Sequence, residues 1–377
     1  MSPALPVVTP MVAPIVAVVL PPREGFGPGR TGAIGLLARR LAQTPGFRTA
    51  VYGGRQDGPI FPGADFRPVN PAVWPPGNIN IRYAAALAGL LKKHPPALIE
   101  VHNRPEIALA LASRLPAVPV SVILNNDPQD MREAATAAER EQMLRRLARV
   151  ITASDWLRRR VLDGLASVPH QPVVLHNCLD LTELPLAPAT RQRLILFAGR
   201  VVREKAPDAF VAACAQALPC LHGWQAKIIG ADRFSFDSPD TTFVQTVRAA
   251  AAAAGVEMLG YRGHADVLAA MAQAAIVVVP SRWPEPFGLV ALEALASGAA
   301  LICAPRGGLP EVAGDAAIYA NPDDPREIAS TIVALARDDA RRAVLAAAGR
   351  ERAKLFDIPA ITAQLAALRR DVLIAHG

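Results

Sequence analysis

Short apolar segments recur along the whole chain, and most are rich in β-branched residues without regular polar alternation. This pattern is typical of strands buried on both faces of a parallel sheet. In the first half the runs are IVAVVL (15–20), TAVYG (49–53), ALIEVH (97–102), VSVILN (120–125), RVITAS (149–154) and PVVLHN (172–177). In the second half they are LILFAG (194–199), AKIIG (226–230), VEMLGY (256–261), AIVVVPS (275–281), ALICAP (300–305) and AIYA (317–320).

Segments with apolar residues at three- and four-residue spacings lie between these runs, as amphipathic helices require. Examples are GAIGLLARRLA, RYAAALAGLLKKH, EIALALASRL and EREQMLRRLARV. Repeated strand–helix alternation predicts an α/β protein with two doubly wound Rossmann-like domains. Ligands in such folds bind beyond the carboxyl ends of the strands, so we expect the site in a cleft between the domains.

The Pro-rich, unpatterned segment LPLAPATR, which falls within 184–191, marks the predicted break between the domains. After Asp338 the pattern is almost wholly helical, and a final amphipathic segment follows Pro359. This last helix is free to pack back on either domain. The predicted divisions are a loose extension (1–13), an N-terminal acceptor-side domain (14–187), a C-terminal nucleotide-sugar-binding domain (188–355) and a helical tail (356–377).

Charge is unevenly distributed along the 377 residues, although the formal net charge is only +7. Residues 1–185 hold 20 Lys/Arg and 14 Asp/Glu, whereas residues 186–377 hold 20 and 19. A basic first half suits an anionic partner or an anionic membrane surface. Segments 144–149 and 156–165 and the pair Lys92–Lys93 either rest on anionic lipid or are ordinary solvated helix faces. No nucleic-acid-binding pattern is present.

The four cysteines have no metal-ligand spacing, which favours reduced thiols in a cytosolic protein. The apolar N-terminal stretch lacks a basic start and is interrupted by prolines, so it does not match a signal peptide or a membrane span. We therefore expect a cytoplasmic protein, with peripheral contact at the inner face of the plasma membrane as a further option. No carboxylate pair has clear metal geometry, and we expect neither a metal nor a cofactor.

The segment PSRWPEPFGLVALEALASG (280–298) carries two glutamates, Glu285 and Glu293. It reads as a strand end, a linker and a helix that begins at Phe287. The linker places Glu285 at the sheet edge, and the free backbone N–H groups of Phe287, Gly288 and Leu289 would stabilise an anion in the cleft. An arbitrary glutamate pair is usually surface charge, but Glu293 has apolar neighbours, and a carboxylate there needs a partner.

Two further turns follow predicted strands. In FAGRVVREKAPD (197–208), Arg200 and Lys205 suit a diphosphate, with a solvated basic turn as the alternative. In REGFGPGRTGAIG (23–35), Gly27, Gly29 and Gly32 match a dinucleotide fingerprint formally. The acidic residue expected at the end of the second strand is absent, so we interpret these glycines as a loop that approaches a ligand closely rather than as an NAD site.

Polar residues also end two strands of the first half. His102, Asn103 and Arg104 follow one strand, and a histidine in this position favours a ligand contact over a core role. Asp127 follows the next strand, where it either faces the site or forms a turn before Pro128. The paired glycines Gly307 and Gly308 follow a strand of the second half and are expected to give the next loop room to approach the ligand.

Taken together, these residues resemble the retaining glycosyltransferases of family 4 (group 1), which have the GT-B fold; the resemblance extends over about 15–373. The most specific element is the Glu-Pro-Phe-Gly segment at 285–288 followed by Glu293, which matches the family's E-x7-E element. The resemblance implies that Glu285 contacts the donor sugar and Glu293 the ribose. It implies that Arg200 and Lys205 bind the donor diphosphate and that His102 lies near the donor sugar.

The same resemblance assigns Gly199, Gly230 and Arg262 to the nucleotide site, and the loop of Gly27, Gly29 and Gly32 to donor phosphate and acceptor. It implies metal-independent, retaining transfer from a UDP- or GDP-linked sugar, with the cationic pair replacing a metal ion at the leaving diphosphate. The implied acceptor is a glycan or glycolipid, as in bacterial lipopolysaccharide or surface-polysaccharide synthesis.

Two other readings remain. A nucleotide-sugar 2-epimerase shares the architecture but would be expected to carry more carboxylates and histidines for proton transfer. A non-catalytic sugar-nucleotide-binding protein would be expected to lack Glu285, Glu293 or Lys205, and all three are present. A phosphorylase-like enzyme would need a pyridoxal-binding lysine, for which the C-terminal half has no suitable candidate.

Overall fold

The computed structural model describes residues 13–376 apart from 30, 75, 169, 189 and 234–236, so nearly all of the predicted extension 1–13 lies outside the described residues. The first half forms a seven-stranded sheet of order β3-β2-β1-β4-β5-β6-β7, in which every paired strand is parallel. Its strands are β1 (Ile15–Val19), β2 (Arg48–Gly54), β3 (Asp65–Val69), β4 (Leu98–His102), β5 (Val120–Leu124), β6 (Arg149–Thr152) and β7 (Val173–Val174).

Three of the five helices of the first half begin at side-chain caps that the sequence supplies: Asn78, Thr136 and Ser154. Asn78 accepts hydrogen bonds from two backbone N–H groups of its helix, and Thr136 and Glu139 form a capping box, so orphan donors at both starts are satisfied. These helices are α1 (Ala33–Leu41), α2 (Ile79–Lys93), α3 (Pro105–Arg114), α4 (Ala137–Arg146) and α5 (Asp155–Leu162).

The second half forms a six-stranded parallel sheet of order β10-β9-β8-β11-β12-β13. Its strands are β8 (Gln192–Ala198), β9 (Gln225–Ile229), β10 (Val256–Met258), β11 (Ala274–Val279), β12 (Ala300–Cys303) and β13 (Ala317–Tyr319). Its helices are α6 (Pro207–Ala217), α7 (Thr242–Ala253), α8 (His264–Gln273), α9 (Leu289–Ala296), α10 (Leu309–Ala313), α11 (Pro325–Arg337) and α12 (Asp339–Ala353). Apolar side chains on both faces of this sheet form its core.

The predicted α/β class with two doubly wound domains is confirmed, and each predicted run contains a strand. One strand was not predicted: β3 lies at the edge of the first sheet and reads Asp-Phe-Arg-Pro-Val. Its polar residues and Pro68 hide the strand in the sequence, because an edge strand is solvated on one side and tolerates proline.

The last helix, α13 (Ile358–His376), returns to the N-terminal domain. Its apolar side chains Ile358, Ile361 and Leu365 pack with residues of α1, β5 and β6. Deeper in the same domain, Arg369 forms a two-point ion pair with Glu100 of β4, at 3.0 and 2.6 Å, and both side chains are almost completely buried. The chain therefore crosses between the domains twice, and its final helix completes the first domain.

Two contacts tie the start of α5 to the C-terminal domain. The hydroxyl of Ser154 donates to the backbone carbonyl of Pro286 at 2.5 Å. The carboxylate of Glu311, on α10, accepts from the backbone N–H groups of Asp155 and Trp156 at 2.6 and 2.7 Å. A C-terminal-domain carboxylate thus caps an N-terminal-domain helix, where its charge favours the positive end of the helix dipole.

Candidate functional site

A cleft of about 820 Å³ lies between the two sheets, at the ends where their strands terminate. Residues after β1, β4, β5 and β7 line one wall, and residues after β8, β9 and β11 line the other. The predicted site residues found in its walls are Asp127, Gly199, Arg200, Lys205, Glu285, Phe287, Gly288 and Leu289. The position agrees with the general rule that ligands bind beyond the carboxyl ends of parallel strands.

Lys205 and Glu285 form an ion pair on the C-terminal wall of the cleft. The ammonium nitrogen of Lys205 lies 2.5 Å from Oε1 of Glu285, and both side chains are mostly buried. Lys205 ends a 3-10 turn after β8, and Glu285 lies in the linker after β11, the strand next to β8 in the sheet. Adjacent strands therefore bring together two residues that are eighty positions apart.

The helix after Glu285 begins two residues later than predicted. Gly288 is its N-cap with φ 105°, and α9 starts at Leu289 rather than at Phe287. A Cβ on Gly288 would lie 2.5 Å from Leu309, and a non-glycine residue would also be strained at this φ. Phe287 contributes a buried ring packed against His176 and Phe356. No side chain caps the start of α9, and Gly288, Leu289 and Val290 line the cleft, so the positive end of the helix dipole lies in the cleft wall.

Gly307 and Gly308 support Glu285 rather than a ligand. A Cβ on Gly307, whose φ is 64°, would lie 2.2 Å from the backbone oxygen of Glu285. The N–H of Gly308 donates to that same oxygen at 2.6 Å. Neither glycine lines the cleft. The expectation that this pair makes room for a ligand is therefore corrected: it makes room for the backbone that carries Glu285.

Gly199, Gly230 and Arg200 lie at the ends of β8 and β9. Gly230 adopts φ 145°, and a Cβ there would lie 1.8 Å from the backbone oxygen of Gly199, so close packing of the two turns requires a glycine. Gly199 and Arg200 line the cleft, whereas Gly230 does not. Gly230 therefore has a structural role: because it lacks a Cβ, the backbone of Gly199 and Arg200 can pack closely against it and form the cleft wall.

Glu293 does not line the cleft, and its carboxylate is bonded to His264 at the start of α8. Its carboxylate lies 2.7 Å from Nε2 of His264 and is 8% exposed. The hydrogen bond to Glu293 raises the pKa of His264, against the effect of burial. Arg262 is exposed, bonds the neighbouring carbonyl of Tyr261 and does not line the cleft. The Glu293 carboxylate, which the sequence analysis expected to need a partner, is therefore paired with His264, a residue that the sequence did not connect with it.

His102 is not a cleft residue, contrary to expectation. Its ring is 1% exposed, and desolvation lowers its pKa to about 4. Side chains two apart on a strand share a face, so His102 lies on the same face as Glu100, which α13 covers through Arg369. Asn103 is also structural: at φ 53° its side-chain oxygen accepts from the backbone N–H of Asn125 at 2.6 Å.

Asp127 fulfils both predicted roles, since it lines the cleft and caps the 3-10 turn after β5.

The glycine loop differs from expectation. Gly27 packs against the carbonyl of Pro59, and the N–H groups of Gly32 and Gly35 both donate to the carboxylate of Glu24 at 3.0 Å. Gly29, at φ 71°, faces open space. A carboxylate of the chain thus already accepts from the amide of Gly32, one of the three glycines whose loop was predicted to face donor phosphate and acceptor.

The basic segments of the N-terminal domain are partly neutralised within the protein. Arg158 and Arg159 pair with Asp155, and Arg145 pairs with Glu141. Within the part of the chain that the structure describes, no helix has both the length and the apolar character needed to cross a bilayer. No group of three or more His, Cys, Asp or Glu side chains in the same part of the chain could hold a metal ion.

Two family profiles divide the chain at the same place as the two sheets. "Glycosyltransferase Family 4" matches residues 34–183, and "Glycosyl transferases group 1" matches residues 185–352. The chain belongs to the group 1 glycosyltransferases. In this chain the cleft with Lys205 and Glu285 lies between the half that matches the family 4 profile and the half that matches the group 1 profile.

Curated relatives of this glycosyltransferase align over part of their length. The D-inositol 3-phosphate glycosyltransferase of Corynebacterium aurimucosum is 30% identical over 185 residues, 48% of this chain and 44% of the relative. The O-antigen chain mannosyltransferase B of Escherichia coli is 37% identical over 109 residues, 29% of this chain and 28% of the relative. The chain thus spans less than half of either relative.

Solved structures share the fold of this glycosyltransferase over nearly all of its length. Sucrose-phosphate synthase from Thermosynechococcus elongatus has a TM-score of 0.77 and 20% identity, and covers 96% of this chain and 99% of its own. Anabaena HepE in complex with UDP and glucose has a TM-score of 0.74 and 19% identity, and covers 93% and 98%. Both likenesses identify the two-domain GT-B architecture.

Several residues of this glycosyltransferase escaped the sequence analysis. Glu204, Trp283 and Asn177 line the cleft, and Ser154 and Glu311 tie the domains together beside it. Ser154 carries a local signal, because a serine before a helical run is a good N-cap, and it does cap α5. Its second bond, to Pro286, has no local signal, because it joins two parts of the chain that only the fold brings together.

Proposed function

We propose that this protein is a retaining glycosyltransferase that moves a sugar from a nucleoside-diphosphate sugar to a glycan or glycolipid acceptor. The observation that carries the proposal is the Lys205–Glu285 pair in the cleft wall, beside the uncapped start of α9. A lysine and a helix N-terminus suit a diphosphate, and a carboxylate suits the hydroxyls of a sugar. The three groups lie where one ligand with both parts would bind.

The donor diphosphate would lie between Arg200, Lys205 and the first N–H groups of α9. Negative charge grows on the diphosphate as the glycosidic bond breaks, and preorganised cations and dipoles stabilise that charge. Lys205 would exchange its bond with Glu285 for a phosphate oxygen. Glu285 would then be free to accept hydrogen bonds from the donor sugar. Because these groups supply positive charge, we infer that transfer needs no metal ion.

Glu293 is proposed to bind the ribose of the donor. It lies on α9, one turn inside the helix, and at present its carboxylate is bonded to His264. Ribose hydroxyls would compete with the histidine for this carboxylate. His102 no longer has a proposed role in catalysis, because its ring is buried in the N-terminal domain core.

The acceptor would enter from the N-terminal wall. Retention follows if the acceptor hydroxyl attacks from the side the diphosphate leaves, with a diphosphate oxygen taking the proton. Among the relatives, the Escherichia coli protein is named as an O-antigen chain mannosyltransferase. This supports a role in lipopolysaccharide or surface-polysaccharide synthesis, with a cytoplasmic location and peripheral membrane contact as parts of the same proposal.

The test is a screen of UDP- and GDP-linked sugars that measures release of nucleoside diphosphate, with and without a chelator. HepE was solved with UDP and glucose, so UDP-glucose is a first donor to include. We expect donor-dependent release that the chelator leaves unchanged and that Lys205→Ala lowers by about 10²–10³-fold. Release that requires a divalent metal would contradict the cation-pair mechanism.

Product analysis tests the finer claims. Transfer with the anomeric configuration of the donor kept would support retention, and an inverted product would exclude it. Conversion of the donor to its 2-epimer without transfer would favour the epimerase reading instead. Tight donor binding with neither reaction would favour the non-catalytic binding protein.

A further inference from the structure

A second cavity, of about 310 Å³, adjoins the cleft on the N-terminal domain. We call it the arginine pocket, because three of its seven lining residues are arginines and none is acidic. The lining residues are Pro22, Arg23, Asn78, Ile79, Asn80, Arg104 and Arg132. The cleft, in contrast, mixes cations with carboxylates, including Asp127, Asp130 and Glu285.

Arg104 connects the two cavities, since it lines both. It lies between β4 and α3, and its Nη1 donates to the backbone carbonyl of Asn103 at 2.7 Å. Burial lowers the pKa of its guanidinium, and the carboxylates of Glu24 and Glu106 oppose that shift. A ligand in the arginine pocket would therefore lie next to a ligand in the cleft, with this side chain between them.

The carboxylates nearest to Arg104 are already engaged by other groups. Glu106 accepts from the side-chain amides of Asn78 and Asn80, at 2.5 and 2.8 Å. Glu24 accepts from the backbone N–H groups at the start of α1. Each carboxylate thus has hydrogen-bond donors of its own, and neither lines the pocket.

Arg23 and Arg132 are exposed, and neither has a hydrogen bond or ion pair with any residue that the structure describes. Arginine usually forms paired, forked bonds with carboxylate or phosphate oxygens. Three arginines around one small cavity therefore offer more donors than a neutral hydroxyl group can use. A phosphate group, with its several oxygens and its higher charge, matches this set of donors better than a single carboxylate.

We propose that the arginine pocket binds a phosphate group carried by the acceptor, so that the enzyme glycosylates a phosphorylated acceptor. This inference rests on the proposed glycosyltransferase function and names the substrate class for its second substrate. Bound in this way, the phosphate holds the acceptor on the N-terminal wall while its hydroxyl reaches past Arg104 into the cleft. The excess positive charge of the N-terminal domain would then serve to bind the phosphate group of the acceptor.

The phosphate has two chemical sources, a soluble phosphorylated sugar or alcohol and a lipid headgroup. Val73 and Trp74, which are 90% and 77% exposed, lie shortly before Asn78 of the pocket. Exposed apolar side chains in the segment that leads to the pocket are suited to a lipid chain or a membrane surface. The experiment therefore needs one arm for each source.

The first measurement is calorimetric titration with inorganic pyrophosphate, which should find two sites in the wild-type protein. Lys205→Ala should remove the cleft site, and the double variant Arg23→Ala, Arg132→Ala should weaken the other at least tenfold. The matched control is Arg341→Ala, Arg370→Ala, which removes two other exposed arginines and should change neither site. The arginines of the tested pair have no partners in the described chain, so their loss should leave the fold and the melting temperature unchanged.

The outcomes separate this inference from the proposed function. If only the Lys205-dependent site is found, the arginine pocket is not an anion site and the proposed function stands. If only the Arg23- and Arg132-dependent site is found, the pocket stands and the proposed donor site fails. Equal weakening by the two arginine pairs would show general electrostatics and would overturn the inference.

The second measurement uses glycerol 3-phosphate and vesicles of phosphatidylcholine with phosphatidic acid. Loss of binding in the Arg23, Arg132 variant with either probe supports the inference and identifies the source. Binding of pyrophosphate with no such effect for either ester would overturn the assignment to an acceptor. Glucuronate is the carboxylate control, and if it binds as tightly as glycerol 3-phosphate, the phosphate assignment is wrong.

Discussion

The ammonium nitrogen of Lys205 lies 2.5 Å from a carboxylate oxygen of Glu285, in the wall of the interdomain cleft. The two residues follow neighbouring strands, β8 and β11, so the order of strands in the sheet sets their distance. Each satisfies the other's charge. A donor that carries both a diphosphate and a sugar would replace this one bond by two, one for each residue.

We predict that Lys205→Ala lowers transfer by about 10²–10³-fold, because removal of one group that stabilises charge in the transition state has an effect of this size. The measurement is the steady-state rate of nucleoside diphosphate release with the donor that the screen identifies. Lys227→Ala is the matched control. Lys227 pairs with Glu257 at 2.9 Å in the same domain, and its side chain is as exposed as that of Lys205.

Circular dichroism should show both lysine variants folded. An equal loss of rate in the two variants would mean that ion pairs of this domain matter only for its structure. A wild-type rate in Lys205→Ala would exclude the residue from the reaction.

We predict that Gly307→Ala lowers transfer by about 10²-fold, because displacement of a reacting or positioning group by about 1 Å has effects of this order. The new Cβ would lie 2.2 Å from the backbone oxygen of Glu285, so the linker that carries this residue must move. The measurement is kcat together with KM for the donor.

Gly255→Ala controls for the backbone strain of the Gly307 variant. Gly255 has φ 70°, close to the 64° of Gly307, but a Cβ there meets nothing within 4 Å. Both variants carry the strain of a left-handed alanine, roughly 1–2 kcal/mol, and only one meets the linker. A similar loss of transfer in both would mean that strain, rather than the position of Glu285, explains the effect.

We predict that Arg369→Ala lowers the free energy of unfolding by about 3–5 kcal/mol, because it leaves the Glu100 carboxylate buried without its partner. The pair has side-chain exposures of 0% and 1%. Arg370→Ala removes the neighbouring, exposed arginine and should change stability by about 0.5 kcal/mol or less. Urea-induced unfolding, followed by tryptophan fluorescence, measures both.

The double variant Glu100→Gln, Arg369→Met tests the reason for that loss. It removes both charges, so no buried charge remains unpaired and much of the lost stability should return. If the double variant is as unstable as Arg369→Ala, the loss comes from packing of the arginine rather than from the carboxylate.

We predict that two histidines make stability depend on pH with opposite signs. Burial lowers the pKa of His102 to about 4, below its ordinary value of 6.5. The neutral ring therefore stabilises the fold above pH 6.5, and this contribution, roughly 3 kcal/mol, is lost as pH falls from 6.5 toward 4. The pKa of His264 is raised by Glu293, so its contribution is complete below pH 6.5 and is lost as pH rises through the raised pKa.

The melting temperature measured from pH 4 to 9 checks this prediction. His102→Leu should flatten the acid side of the profile of melting temperature against pH and leave the alkaline side unchanged. His264→Gln should flatten the alkaline side and leave the acid side unchanged. Each variant is therefore the control for the other. Glu293→Gln should lower the pKa of His264 in an NMR titration. An acid side unchanged by His102→Leu would mean that other groups cause the loss of stability there.

The sequence predicted the architecture well because buried parallel strands have an unambiguous pattern. It predicted the C-terminal wall of the cleft for a related reason: Arg200, Lys205 and Glu285 follow strands, and all strands of a parallel sheet end at one edge. Gly288 was placed correctly, although the helix begins after it. Such features depend on local sequence and on one topological rule.

Other features depend on contacts between distant parts of the chain. His102 lies at the end of β4, much as Arg200 lies just after β8. However, α13 covers the face of the sheet on which His102 lies, and no local sequence pattern indicates the position of α13. Glu293 and His264 are on different helices, and Ser154 and Pro286 are in different domains. Their partners could not be found in the sequence, because its periodicity describes each element alone.

The ion pair between Glu100 and Arg369 also concerns the order in which the protein is made. Its two residues are 269 positions apart, and the carboxylate leaves the ribosome first. At about 5–20 residues per second, the arginine follows after roughly 15–50 s. In the later part of that time the first domain is complete in sequence except for its last helix, and its central strand carries a carboxylate whose partner Arg369 has not yet been made. The N-terminal domain therefore reaches its final form only after the C-terminal domain has been synthesised, although it is the first domain to emerge.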